Sequence, residues 1–253
     1  MEKLTFQFGN AKLSSQIAFL NLPAGWACPN AKLCLSKFDP KSKKIIDGPD
    51  TEFRCFGAMS ERYPSVGKLR WNNFNLIRKA KTLKGMIELI SMSLPDAPYI
   101  RPHSDGGDFF NETYFLAWLN VAINNPDIVF YTYTKHPEYI VKFKNDIPSN
   151  FRLTASFGGK NDHLIEKHNL KFAKVFFSED EAKQAGLEID RDDSHAYNGS
   201  TASFALLLHG SQPKKTDAAK AWQLLVKAGK GYSQKNKVKS NPQPKSTIIH
   251  VKK

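Results

Sequence analysis

The chain has 253 residues, 41% of them hydrophobic, which excludes wholesale disorder and admits one large α/β domain or two small ones. No apolar run approaches the roughly 18 residues of a membrane span, and Met1 to Asn10 lacks the basic flank and apolar stretch of a secretory leader, so a soluble cytoplasmic protein is expected. Of the formal charge of +13, the stretch from Lys214 onward holds +10 (eleven lysines and Asp217) and residues 1–213 only +3, which excludes a uniformly basic protein.

Gln16 to Leu22 (QIAFLNL), ended by Pro23, reads as a buried strand. A long loop over 23–60 follows and holds all three cysteines; a loop of that length inside a domain usually has a function. Leu69 to Leu94 is predicted as one amphipathic helix, with Leu76, Ile77, Ala80, Leu83, Ile87 and Ile90 on one face and Pro95 and Pro98 as stops. Tyr99 to His103 is a second strand that runs into an acidic glycine loop. Asn111 caps a helix carrying Tyr114, Phe115, Trp118, Leu119 and Ala122. Ile128 to Thr134 is a third strand, and Pro137 opens a short helix. Phe151 to Ser156 is a fourth strand, followed by a short helix over Asp162 to His168 and a fifth strand over Phe172 to Phe177. Ser178 and Glu181 form a capping box for a helix that Gly186 ends. Phe204 to Leu208 is a sixth strand, and Thr216 caps a last helix with Gly229 behind it.

Six strand-to-helix units in alternation predict an α/β fold with a parallel sheet and crossover helices, either an open partial (βα)6 barrel or a doubly wound sheet. In both, the functional loops leave the carboxyl ends of the strands. The expected organisation is a single domain over 1–229 and a basic tail over 230–253. Such a tail is either solvated and disordered or engages nucleic acid or an acidic host factor.

Cys28, Cys34 and Cys55 are spaced C-x5-C-x20-C. An odd count in a chain of this length is no disulfide framework, and in a reducing compartment clustered cysteines serve as ligands. Three thiolates can hold three corners of a [4Fe-4S] cluster and leave the fourth iron open. Structural zinc would want a fourth ligand, from His103, His195 or His209. Free cysteines buried as small hydrophobes are the ordinary alternative, against which stands the polar, lysine-bearing loop around them.

In Asp105-Gly106-Gly107-Asp108 the glycines permit a close backbone approach to a ligand and a carboxylate can accept from an ammonium group, although an ordinary strand-to-helix turn uses the same residues. Arg101 can pair a carboxylate, and His209, Lys135 and His136 stand at strand ends facing the same mouth. Gly158, Gly159 and Lys160 can cradle a phosphate without forming a P-loop pattern, whereas Tyr131 and Tyr133 are expected simply to pack. The chain has no G-x-S-x-G elbow, H-E-x-x-H helix or dinucleotide fingerprint, so hydrolases of those types are not expected.

The stretches FLNLPAGWACPNAKLC, RCFGAMSERYP, RPHSDGGDFFNETYFLAWL and IVFYTYTK, over roughly 17–135, together with the later FALLLHGSQP, resemble the phage family called gene product 88-like. Cys28, Cys34 and Cys55 fall on that family's clustered cysteines, and Gly107, Asp108, Phe109 and Phe110 on its SGD-FF step. The resemblance implies a phage origin, action in the host cytoplasm and an iron–sulfur cluster on those cysteines. The order of strand, cysteine loop, helix, strand and GGD also resembles radical S-adenosylmethionine (SAM) enzymes. There a three-cysteine loop holds the cluster and a GGE-like step holds the amino group of SAM. The usual spacing in those enzymes is C-x3-C-x2-C, whereas here it is C-x5-C-x20-C and the acid is Asp. This second resemblance implies a radical SAM-like enzyme with Gly106, Gly107 and Asp108 at the SAM amino group, served by an electron donor. A non-enzymatic iron–sulfur or zinc protein binding nucleic acid or a host factor is the alternative.

Overall fold

The structure is a computed structural model that describes residues 2–230, so the expected basic tail lies outside the described residues except for Lys230. Strand β1 (Gln7–Phe8) pairs antiparallel with β2 (Ile17–Leu20). The cysteine segment that follows is more than a loop. It contains the hairpin of β3 (Ser36–Asp39) with β4 (Lys44–Asp47), and the short helix α1 (Phe56–Ser60). The single helix expected over Leu69 to Leu94 is two, α2 (Pro64–Ala80) and α3 (Leu83–Ser91). The break has a local cause: Lys81 takes a left-handed φ of 56°, and the Thr82 hydroxyl accepts the Gly85 N–H to cap α3.

Then come β5 (Tyr99–Pro102), α4 (Glu112–Ile123), β6 (Val129–Thr134), α5 (Pro137–Lys142), β7 (Phe151–Ser156), α6 (His163–Lys167) and β8 (Phe172–Phe176). The described residues finish with α7 (Glu179–Gln184), the unforeseen turn α8 (Ser194–Tyr197), β9 (Phe204–Leu207) and α9 (Asp217–Lys227). Asn111 and Thr216 cap α4 and α9 as their chemistry requires, accepting from Tyr114 N–H at 2.8 Å and Ala219 N–H at 3.1 Å. The capping box is only half reciprocal. Ser178 Oγ accepts the Glu181 N–H, but the Glu181 carboxylate accepts the N–H of Phe177.

β2, β5, β6, β7, β8 and β9 pair in parallel in that order, with β1 on the outer edge of β2. The order never reverses, whereas a doubly wound sheet must reverse at its switch point, so that alternative is excluded. The helices α2, α3 and α4 pack on one face of the sheet. That face holds the main core: Leu20, Ile100, Phe130 and Phe151 of the strands pack with Ile77 of α2, Ile90 of α3 and Phe115 and Trp118 of α4. Each such side chain contributes roughly 1.5–3 kcal/mol through burial. The opposite face bears Ile17, Phe19, Tyr131, Ala173 and Phe204, covered by Leu13 and by Ala196 of α8.

Candidate functional site

A cavity of about 240 Å³ opens at the carboxyl ends of the parallel strands. Every one of those strands brings it a residue or a following loop. β2 is followed by the cysteine segment, β5 by His103 to Asp108 and β6 by Lys135; Ser156, Val175 and Leu206 come from β7, β8 and β9. Cys28, Cys34 and Cys55 all line it, as do Gly106, Gly107 and Asp108. The sequence separates these groups by up to 80 residues, and the sheet order brings them together. A second cavity of about 420 Å³ shares the walls Lys12, Phe56, Arg101, Asp105 and His209 with the first.

The two loops are tightly fitted. Leu22 N–H donates to Gly106 O at 3.0 Å, and Asp108 N–H to Ala27 O at 2.9 Å. A side chain at Gly57 would put its Cβ 1.6 Å from Asp105 O, so only glycine permits this approach of α1 to the acidic loop. Gly107 sits at φ 88°, with its missing Cβ turned onto Leu22. Arg70, 2% exposed on α2, joins the parts: Nη1 donates to Gly57 O (2.8 Å) and Glu61 Oε1 (3.0 Å), and Nη2 meets Asp105 Oδ2 at 2.8 Å. Glu61 Oε1 also accepts the Ala24 N–H at 2.6 Å.

The cysteines are free and partly buried. Burial pushes the Cys28 thiol well up, and the neighbouring Asp108 and Cys55 add to it, while the Gly25 N–H directed at its sulfur at 3.3 Å pulls the other way. Burial, helped by Cys34, pushes Cys55 up to about 12, against hydrogen bonds from the backbone of Ala58 and Gly57. Without metal these two are neutral thiols at neutral pH, and a metal would have to displace their protons. Backbone N–H groups aimed at sulfur are donors that thiolate-bound clusters use to spread their charge. The three free thiols line one cavity, with backbone amides directed at two of the sulfurs. Among the described residues no group of three or more His, Cys, Asp or Glu side chains is set to hold a metal ion. Donors to one ion must converge on a point, whereas each thiolate of a four-iron cluster meets a different iron.

Asp108 is more committed than the sequence implied. Oδ1 accepts from Thr134 Oγ1 (2.8 Å) and Phe109 N–H (2.7 Å), and Oδ2 accepts the Lys135 N–H (2.8 Å), so the carboxylate ties the β5 loop to the end of β6. Oδ2 has capacity for a further donor. Lys135 reaches on, its Nζ donating to Phe157 O at 2.7 Å and Ser156 Oγ at 2.9 Å.

Of the three histidines proposed as a fourth ligand, His103 and His209 line the cavity, whereas His195 does not and is held between Asp190 and Glu188 at 3.0 Å each. His103 sits at φ 61° with Nε2 3.2 Å from Tyr114 Oη. Burial pulls both His103 and His209 down to about 4. His209 Nδ1 lies 3.1 Å from Leu207 O, which can only accept, so that nitrogen carries the proton and Nε2 is the ring's acceptor. His136 lies outside the cavity wall, bonded to Glu138 and Asn30. The expected phosphate cradle is already filled: the N–H groups of Gly158 and Gly159 donate to the Asp162 carboxylate at 2.8 and 2.9 Å.

Lys12, Phe56 and Arg70 of the walls carried no signal in the sequence. Arg70 could be noticed only as a charge inside a helix, and Lys12 precedes any predicted element.

Fold and site together define an α/β protein with a sequentially ordered, mostly parallel sheet and a three-cysteine cavity at its carboxyl end. Gene product 88 is the family that matches, over residues 2–224, and the chain belongs to it. It is similar to the Gene 88 protein of Mycobacterium phage L5, with 29% identity over 128 residues. That match covers 46% of this chain and 46% of the phage L5 protein, so the chain spans about half the length of that relative. No solved structure matches the chain. Among the described residues no helix is long and apolar enough to cross a membrane.

Proposed function

We propose that this phage protein is an iron–sulfur protein of the host cytoplasm, with a [4Fe-4S] cluster on Cys28, Cys34 and Cys55 and a radical SAM-like partial (βα)6 barrel around it. The observation that carries the reading is the shared cavity, in which three free cysteines and the Gly106-Gly107-Asp108 step stand at the carboxyl ends of one parallel sheet. When bound and reduced by an electron donor, a cluster with an open iron supplies the electron for reductive cleavage of SAM. The chain's own part is positional. The backbone amides of Gly25, Gly57 and Ala58 offset charge on the sulfurs, and Asp108 Oδ2 offers its remaining lone pair to an ammonium group. Arg70 fixes the cysteine segment against the acidic loop so that both act on one ligand. Neutral His209 stands in the cavity wall just after the sixth parallel strand.

A second reading, an iron–sulfur protein without turnover, is favoured by one observation: three donors already occupy the Asp108 carboxylate. Iron, sulfide and zinc content with an absorption spectrum, on protein purified without oxygen, tests both. About four irons and four sulfides per chain, lost on Cys28→Ala, Cys34→Ala or Cys55→Ala, are expected. One zinc and no iron would replace the cluster by a structural metal. SAM binding by the loaded protein then separates the enzyme from the second reading.

A further inference from the structure

We propose that the face formed by Trp26, the β3–β4 hairpin and α2 binds single-stranded nucleic acid. Charge gives the first ground. Residues 26–84 hold thirteen Lys and Arg against five Asp and Glu, whereas residues 85–213 hold eleven against seventeen. The body is near neutral only on average, and its positive charge is concentrated in this one stretch. Lys41, Lys43 and Lys44 are exposed at the hairpin, and Lys68, Arg78 and Lys79 are exposed on α2. Of the five acids of the stretch, Asp47 is paired with Arg54 and Glu61 is buried on Arg70; Asp39 is turned onto the hairpin backbone at Lys41 and Ser42, and Asp50 and Glu52 are exposed, so the cations stay in excess.

Aromatic placement gives the second. Trp26 is 43% exposed, with the Lys37 ammonium 4.7 Å from the centre of its ring. Its other neighbour is Trp71 of α2, with ring centroids 5.9 Å apart, and its Nε1 donates to Phe38 O of the hairpin at 3.1 Å. Trp71 lies three residues after Lys68 and seven before Arg78, on the same helical face. Hairpin and helix therefore meet at a part-exposed indole, through Lys37 and Phe38 O on one side and Trp71 on the other, and both elements carry exposed cations. A cationic surface alone suits any polyanion. An exposed indole set among the cations suits one whose bases are unpaired and can stack. A strand on this face would pass the outer side of the segment whose inner side carries Cys28 and Cys34, and the assignment does not depend on what those cysteines hold.

The test is fluorescence anisotropy of a labelled oligothymidine with the full chain across a salt series. The triple variant Lys41→Gln, Lys43→Gln, Lys44→Gln keeps the tail intact, so any loss belongs to the hairpin. Affinity is expected to fall about tenfold at moderate salt, with the log–log salt slope shallower by about two. Trp26→Ala is expected to weaken oligothymidine binding about fivefold or more while leaving duplex binding unchanged. The hairpin lysines are exposed, so the triple variant should melt with the parent; it stands as the test even if Trp26→Ala disturbs the packing on Trp71. Unchanged affinity and slope in the triple variant would overturn the proposal. So would duplex DNA or polyglutamate binding as tightly as the single strand.

Discussion

Asp193 shows how much chemistry one residue can hold behind the cavity wall, on Arg101 and Lys12 that line it. It sits at φ 67°, fully buried, and pairs with Arg101. Lys12 Nζ approaches its Oδ1 at 2.6 Å, and the hydroxyls of Tyr131 and Tyr133 donate to it at 3.3 and 3.2 Å. The two tyrosines therefore do more than pack, and Arg101 has found the carboxylate its sequence position called for. Burial alone would push the Asp193 pKa up, but Arg101 and Lys12 outweigh it and hold the group below the usual carboxylate range. Burial would likewise lower Arg101, and Asp193 outweighs it. Both groups stay charged, so removing one strands the other. Asp193→Ala should cost about 3–5 kcal/mol in denaturant unfolding. Adding Arg101→Met to that variant should recover part of the loss, because the uncompensated charge goes with it. Strictly additive losses would show that the two groups are not coupled.

At the scale of elements, the cavity depends on contacts between loops that only small residues allow. The sharpest is between α1 and the acidic loop, at Gly57. A methyl group there meets a backbone carbonyl, which cannot swing aside as a side chain would. Gly57→Ala should therefore destabilise the protein by about 1–3 kcal/mol or more, read from the denaturant midpoint, and should loosen Cys55 relative to Asp105. A neutral Gly57→Ala would mean that the two loops do not touch in solution. This contact was invisible in the sequence, where Gly57 is one glycine in RCFGAMS. The elements themselves were legible because each has a local cause: Asn111 and Thr216 at caps, Pro137 at a first turn, a β-branched and aromatic run in β6 and a short apolar run in β9. The α2–α3 break was missed because its cause is the backbone angle of Lys81, a residue type that gives no turn signal. The hairpin in the cysteine segment was missed because its strands are only four residues each and lie in a stretch rich in Lys and Asp. For the site, chain order carried the cysteines and the GGD step to one end of the sheet. The walls from Lys12 and Arg70 come from tertiary packing, which spacing does not encode.

For the molecule as a whole, the buried titrating groups sort into two pH ranges and predict a stability maximum between them. His103 and His209 are pulled down to about 4 by burial, while unfolded histidine titrates near 6.5, an order-of-magnitude reference. Between those limits the unfolded chain binds protons that the folded chain refuses, so stability should fall as pH drops from about 6.5 towards 4. His136 and His195 behave oppositely. Burial lowers them, but Glu138 for the first, and Glu188 with Asp190 for the second, raise them above the ordinary value. Their contribution is complete below about 6.5 and is lost as pH rises through the raised folded values. Cys28 and Cys55, pushed up by burial, extend the alkaline loss, because the unfolded thiols ionise near 8.5 as a rough reference while the folded ones do not. Urea midpoints of metal-free protein from about pH 4 to 9 should therefore trace a dome with its top near pH 6–7. His103→Gln should flatten the acid limb and leave the alkaline limb in place, and His136→Gln should do the reverse. An acid limb unchanged in both His103→Gln and His209→Gln would mean that neither imidazole is held neutral in the wall of the cavity.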